Sequence, residues 1–502
     1  MSDQNGWKYQ RKILQSCLVI ACSISLLWLN SIDFARAEGT ISQQKHILSR
    51  LSFGITSSQM AEVESLGLEG YIQSQLQPES IDESSELADY LARIKLAARE
   101  PAKLHRQNVA FRNRIRKVNL PFKRKRKARK AYRNFKNQVL NETIDAHLAR
   151  AIFSERQLQE VMVDFWFNHF NVHAQKGDIR IWLNDYEERI RTHAMGNFYD
   201  LLVTTAKHPA MLVYLDNKDS TSPNSPAGKK NKQGLNENYA REVMELHTLG
   251  VDGGYTQDDV IALAKILTGW NLDRNGKHGE AGFYFNPRRH DREEKVFLGR
   301  TIAANGMREG EQALQILASH PATAQFISYK LAQYFVADDP PASLVNLLAQ
   351  KFLDSQGNIK IVLDALIHSQ EFNDPQYYSQ KFKTPYQYLV SLVRLGEIKD
   401  PDLKRIRGML YQLSMPVFQC STPDGYKNTK AAWLNPQAML QRVSLATAIS
   451  RGVLDKTSRP KREQVEQNLG QISSATKQVA DKTGNKILRT ALIMGSPEAM
   501  YR

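Results

Sequence analysis

Cysteine is nearly missing from this 502-residue chain: Cys17, Cys22 and Cys420 are the only three. The first two sit in an N-terminal leader, so the body keeps one thiol. That excludes an internal disulfide framework and a thiolate zinc cluster. The stretch Phe418-Gln419-Cys420-Ser421-Thr422-Pro423-Asp424-Gly425 places no activating base beside the thiol, and Cys420 reads as a small residue in a turn. Also absent are a glycine-rich phosphate loop, a G-x-S-x-G nucleophile elbow and any internal repeat. Beyond the leader no apolar run is long enough to cross a bilayer. Without covalent staples the body must rest on hydrophobic burial, which a chain of this length supplies generously.

Acid is missing from one long stretch. Between Arg93 and Lys136 stand eighteen Lys and Arg against a single acid, Glu100, a local balance of +17 in a chain whose total is +16. The remainder is therefore close to neutral. Lys123, Arg124, Lys125, Arg126, Lys127, Arg129 and Lys130 form the densest part, with Phe111, Phe122, Tyr132 and Phe135 interspersed. This basic insertion, 93–136, reads as a helical hairpin bent at Asn119-Leu120-Pro121. It is either a solvated surface element or a polyanion-binding one. The candidate partners are anionic lipid head groups, glycan or an acidic envelope protein, whereas an exported chain does not meet nucleic acid.

Export itself is read from the first residues. Met1 to Lys12 is polar and positively charged, Ile13 to Leu29 is apolar, and Ala35-Arg36-Ala37 suits a signal peptidase, so 1–37 reads as a signal peptide. A periplasmic or secreted location follows, with no membrane span in the mature chain. Two alternatives stay open: lipoprotein processing at Cys22 within Val19-Ile20-Ala21-Cys22, and an uncleaved N-terminal anchor.

Helical apolar spacing recurs over Ser57 to Gln75, Gln157 to about Phe170, Ile179 to Met195, Asp258 to Leu267, Gly310 to Leu317, Pro321 to Phe335, Pro341 to Phe352, Ile359 to His368 and Pro385 to Leu395. Strand-like alternation is limited to Gly282 to Phe285 and Lys295 to Leu298. The expected fold is mainly α, a large multi-helix globular body over 38–453 with few short strands and the basic helical insertion. Residues 216–235, rich in Ser, Asn, Pro, Lys and Gly, read as a mobile loop. From 454 to 502 the chain turns polar and reads as a C-terminal extension.

Polar residues crowd into Asn236 to Trp270, which reads as two helices around a glycine-containing turn. Asn236 or Asn238 caps the first helix, Gly250 stops it, and Thr256 with Asp259 makes a capping box for the second. Tyr239, Val243 and Leu246 share the face to be buried, while Asn238, Arg241, Glu242 and Glu245 share the flank beside it. Two carboxylates three residues apart beside an arginine are either a proton-handling or metal-binding pair, or a salt-linked helix surface.

Upstream, Phe165-Trp166-Phe167-Asn168-His169-Phe170-Asn171-Val172-His173 closes an apolar helix. Were that helix to continue, His169 and His173 would stand one turn apart, a spacing that suits two imidazoles on one metal ion. The glutamate of the H-E-x-x-H motif is replaced by Phe170. His290 and Asp291 are further candidate ligands, and His193, His208 and His247 stand in polar surroundings. A divalent metal is thus a candidate cofactor, to be set against buried histidines bonded to backbone carbonyls.

Several segments together resemble the bacterial family catalogued as domain of unknown function 1800. They are the run His46 to Gly54, FWFNHF at 165 to 170, HAMGNFYDLL at 193 to 202, HPAMLVYLDN at 208 to 217, NENYAREVMELHTLGVDGGYTQDDV at 236 to 260, LTGW at 267 to 270, His290-Asp291 with Lys295, His320 to Ala324 and Lys381 to Pro385. The resemblance spans about 46 to 450 and implies a large, mostly helical, exported protein. It supplies no mechanism, and His173 falls outside the pattern.

Two functional readings follow. In one, the His/Glu/Arg/Asn cluster is a buried structural network or a binding site in an exported protein whose insertion docks a polyanion or envelope partner. In the other, the chain is an extracytoplasmic hydrolase in which Glu242, Glu245, Arg241, Asn238 and His169 form an acid-base or metal site.

Overall fold

Helices fill most of the chain because capping residues and apolar stripes recur together along it. The structure, a computed structural model, describes residues 42–116, 121–231, 234–273, 282–470 and 472–502. The fold is mainly α, and among the described residues the strands form two antiparallel pairs. Trp270–Asp273 pairs with Gly282–Phe285, and Lys295–Phe297 pairs with Arg300–Ile302. The leader and Cys22 lie outside the described residues. No helix among the described residues is long and apolar enough to cross a membrane.

Four helices that wall or brace the main cavity fall within two residues of where apolar spacing placed them: Gln157–His169, Ile179–His193, Pro321–Phe335 and Pro385–Leu395. The last two begin on proline, whose missing N–H would have no partner in a first turn anyway. His320 caps one of them through its ring, which accepts from the Ala322 N–H at 3.1 Å. His208 does the same ahead of Pro209, accepting from Ala210 at 3.1 Å. Thus two His-Pro steps are helix starts, and both histidines are occupied there.

The basic insertion is not an appendage. Pro101–Arg116 packs on Phe122–Phe153, and only the first turns of that 32-residue helix stand in solvent. Farther along, Phe135, Val139, Leu140, Ile144 and Leu148 enter the core. The Glu142 carboxylate also accepts from the Leu96 and Ala97 N–H groups at 2.6 and 3.0 Å, so the 93–100 end is tied down. Pro121 precedes the second helix as expected, whereas Asn119 and Leu120 lie outside the described residues.

Two other expectations change. The described part of the 216–235 segment, expected as a mobile loop, is anchored: Ser222 donates to Asp291 at 2.7 Å, and its backbone N–H donates to the Arg289 carbonyl at 2.9 Å. Its serines and threonine hide from solvent because they satisfy one another's backbone groups. The 454–502 segment, expected as an extension, is built into the body. Lys486–Met494 packs along Pro436–Ser450, and Ala491, Ile493 and Met494 are buried. A short bridge then joins Phe382 to Tyr501, with the Lys383 N–H donating to the Met500 carbonyl at 2.9 Å. Polar composition concealed this, since the apolar residues of these short helices face one side only.

Candidate functional site

A cavity of about 340 Å³ opens where the helix Gln157–His169, the helix Pro321–Phe335 and the start of Pro385–Leu395 meet the 415–429 loop. Each wall has a legible origin. On Pro321–Phe335, Phe326, Tyr329, Lys330, Gln333 and Tyr334 recur at helical spacing and turn one face to the cavity. On Gln157–His169, Asp164, Phe165, Phe167, Asn168 and His169 contribute. The loop is seated by asparagines. Asn168 accepts from the Tyr426 N–H at 2.7 Å and donates to its carbonyl at 2.8 Å. Asn171 donates to the Cys420 and Thr422 carbonyls at 3.2 and 2.7 Å. Gly425 is required between them: its φ is +70° and a Cβ there would lie 2.2 Å from the Asn168 carbonyl oxygen.

Asp164 is the carboxylate recessed in this wall. Its one hydrogen bond among the described residues comes from the Tyr334 hydroxyl at 3.5 Å, and that hydroxyl also accepts from Gln387 at 3.1 Å. Burial raises the Asp164 carboxyl to about 6, against the pull of His147 and Arg502. Asp424, at the loop, behaves oppositely. Burial alone would raise it, but hydrogen bonds from Lys427, at 2.6 Å, and Thr422 outweigh that and lower it. Lys330 is lowered chiefly by burial. One cavity therefore holds two carboxyls driven in opposite directions.

Behind this wall lies a buried ion network. Arg191 reaches both oxygens of Glu160 at 2.8 and 3.0 Å and donates to Glu187 at 2.7 Å; His147, which lines the cavity, is 3.1 Å from Glu187. Burial works against the Glu187 charge, yet His147 and Arg191 hold its carboxyl down at about 2. Paired charges fix how three helices meet.

Of the residues singled out from sequence, His169 lines the cavity. Its Nε2 is 3.1 Å from the His247 carbonyl oxygen, so Nε2 carries the proton and Nδ1 is the acceptor. Burial lowers His169 and His247 far enough that both are neutral at pH 7. The helix does not continue to His173. It stops at His169, with Phe170 at φ −99° and ψ 49° and its carbonyl taken by the Tyr186 hydroxyl at 2.7 Å. His169 and His173 are consequently not stacked one turn apart.

The hairpin helix Glu237–Glu245 is capped by Asn236, and the Thr256–Asp259 capping box is present. Arg241 donates to Gln257 at 2.8 Å and lies 3.7 Å from Glu245, which accepts from the Tyr255 hydroxyl at 2.6 Å. Arg241 and Glu245 thus clasp the two helices, while Asn238 is exposed. Glu242 is half-buried, and its carboxylate accepts no hydrogen bond among the described residues. Burial raises it first, then Glu245 and Asp424, which places it in electrostatic reach of the cavity loop.

His290 and Asp291 belong elsewhere. His290 lies 3.0 Å from Glu309, Lys295 donates to Glu309 at 2.6 Å, and Asp291 accepts from Ser222. All four side chains of this cluster are buried. They pin the second strand pair to the helix Met307–Ala318, apart from the cavity. Among the described residues no group of three His, Cys, Asp or Glu is placed to hold a metal ion. Lys123, Arg124, Arg126, Lys127, Arg129 and Lys130 stand exposed on the insertion, with Lys125 partly covered.

Asp164, Lys330, Tyr334 and Asp424 were not singled out from sequence. A signal for Asp164 existed: it is the only charge within Val161-Met162-Val163-Asp164-Phe165-Trp166-Phe167. The chain belongs to the family described as Protein of unknown function (DUF1800), whose model matches residues 46–501. Neither a curated protein nor a solved structure matches the chain significantly.

Proposed function

We propose that this family member is an exported ligand-binding protein that takes a neutral, hydroxyl-rich ligand such as an oligosaccharide into the 340 Å³ cavity. The observation that carries the reading is the recessed Asp164 carboxyl, with one hydrogen-bond partner among the described residues, in a wall rich in aromatic rings and amides. Aromatic faces cover the apolar faces of a sugar ring, and amides and carboxylates bind its hydroxyls. Two aspartates face two lysines there, which favours an uncharged guest. The exposed cations of the insertion serve attachment to an anionic envelope surface.

The opposed shifts of Asp164 and Asp424 favour one second reading, hydrolysis of that guest. A carboxyl raised to about 6 serves as the acid, and an ionised one as the base or stabiliser. Calorimetric titration with neutral oligosaccharides tests the binding reading. Saturable binding that weakens at least about tenfold in Asp164→Asn is the expected result, being the cost of one lost charged hydrogen bond. No saturable binding to the native protein ends the proposal; released reducing ends would establish hydrolysis.

A further inference from the structure

A second cavity, of about 520 Å³, lies between the helix over residues 42–51, the 378–383 segment and residues 497–502, with its Arg502 resting on Tyr334 of the main cavity. Lys45, Lys383 and Arg502 line it. Arg50 and Lys381 stand within electrostatic reach of Arg502, and Arg442 within reach of Lys383. Among the described residues three carboxylates stand against these six cations. Asp338 pairs with Lys381, Asp164 belongs to the main cavity, and Glu498 is already bound by the Ser473 N–H at 3.0 Å and the Thr476 hydroxyl at 3.1 Å. Positive charge is in excess among these residues.

The cations are poorly answered by protein groups. Arg50 and Arg442 are fully buried and Arg502 is 4% exposed; each gives its Nη2 to one backbone carbonyl, and its Nε and Nη1 have no hydrogen-bond partner among the described residues. Arg442 rests between the rings of Phe382 and Tyr388, and Arg502 on the ring of Tyr334. Ring faces attract a guanidinium but accept none of its in-plane N–H bonds. Lys383 reaches only neutral acceptors, the Ser391 hydroxyl at 3.2 Å and the Ala499 carbonyl at 2.9 Å.

Buried cations so placed repel one another, and an anion between them relieves that repulsion. We propose that this cavity is an oxyanion site and that it takes the phosphate of a phosphomonoester, with Arg502 and Lys383 as its principal contacts and Lys45 at the rim. A phosphate carries close to two negative charges at neutral pH, which a single carboxylate does not. The volume leaves room for an organic portion beyond the phosphate.

The test is titration of the protein with inorganic phosphate, glycerol 3-phosphate and phosphatidate-containing vesicles at fixed ionic strength, read by calorimetry and melting temperature. Saturable phosphate binding that weakens at least tenfold in Arg502→Met and Lys383→Met, with native circular dichroism, is the expected result. Because those two side chains are buried, Lys45→Met, half-exposed at the rim, provides a variant that folds and should still lose several-fold in affinity. Tighter binding of glycerol 3-phosphate assigns a soluble ligand, and displacement of phosphate by the vesicles assigns a lipid head group. No saturable binding of phosphate to the native protein, or binding unchanged in all three variants, overturns the proposal.

Discussion

Asp164 shows how one residue carries a cost the rest of the fold has to absorb. Its carboxyl stands at about 6 in the folded chain against an ordinary 3.8, so the folded state holds the proton more tightly than the unfolded one. The associated stability is complete below pH 3.8 and is lost as pH rises through 6. Asp164→Asn should therefore stabilise the protein by roughly 1–3 kcal/mol at pH 8 and leave it unchanged at pH 3.5. Urea unfolding at the two pH values checks this; equal effects at both would show that the carboxyl is not desolvated. The sequence pointed to His169 and Glu242, which do lie in or near the cavity region, but passed over Asp164. An isolated acid among apolar residues is a strong sign only when one knows which helix face opens inward, and periodicity does not reveal an opening. Tyr334 and Lys330 escaped for the same reason, since a stripe facing a cavity has the same spacing as one facing the core.

At the level of elements, local chemistry was the most readable part. Caps at Asn236 and Thr256 and the proline starts at 321 and 385 are fixed by neighbours in the chain, and the structure has them all. What local pattern does not encode is the use of a polar residue across elements. His290 and Asp291 suggested metal ligation, whereas they join Lys295 and Glu309 in a closed network. Burial opposes the Glu309 charge, but hydrogen bonds from His290, Lys295 and the Asn305 N–H bring its carboxyl down to about 2. Its contribution is present above 4.5, the unfolded value, and is lost as pH falls toward 2. Glu309→Ala should cost about 3–5 kcal/mol at pH 7 by stranding two buried partners, with the difference from wild type shrinking below pH 4. Denaturant midpoints across that range measure it, and a loss under 1 kcal/mol at pH 7 would remove the network from the stabilising framework.

Across the whole molecule the charge is concentrated on a surface that the core does not need, and the core reaches farther than composition suggested. The cations at 123–130 are exposed, but the same helix continues inward past Phe135, so excising 93–136 would open the body. Charge substitution separates the two roles. Replacing Lys123, Arg124, Lys125, Arg126, Lys127, Arg129 and Lys130 by Gln should leave the melting temperature within about 2 °C. It should also abolish salt-sensitive retention on anionic vesicles, for which each Lys or Arg supplies on the order of 1 kcal/mol. Vesicle co-sedimentation at low and high salt decides it; undiminished retention would place attachment elsewhere. The mainly α class was legible because helical periodicity survives without knowledge of contacts. The docking of 454–502 was not, because it depends on partners in other elements, from the helix Pro436–Ser450 to the segment around Phe382.

The bridge of Phe382 with Tyr501, beside His46 and its Phe372 partner, sets an order on biogenesis. The second cavity is walled jointly by residues near 45, near 380 and near 500, so it closes only once the chain through residue 500 has been made. Until the last of these emerges, the earlier segments wait with their guanidinium groups in water. Any truncation upstream of residue 497 should yield the same half-assembled species, prone to proteases at a place where the finished molecule resists them.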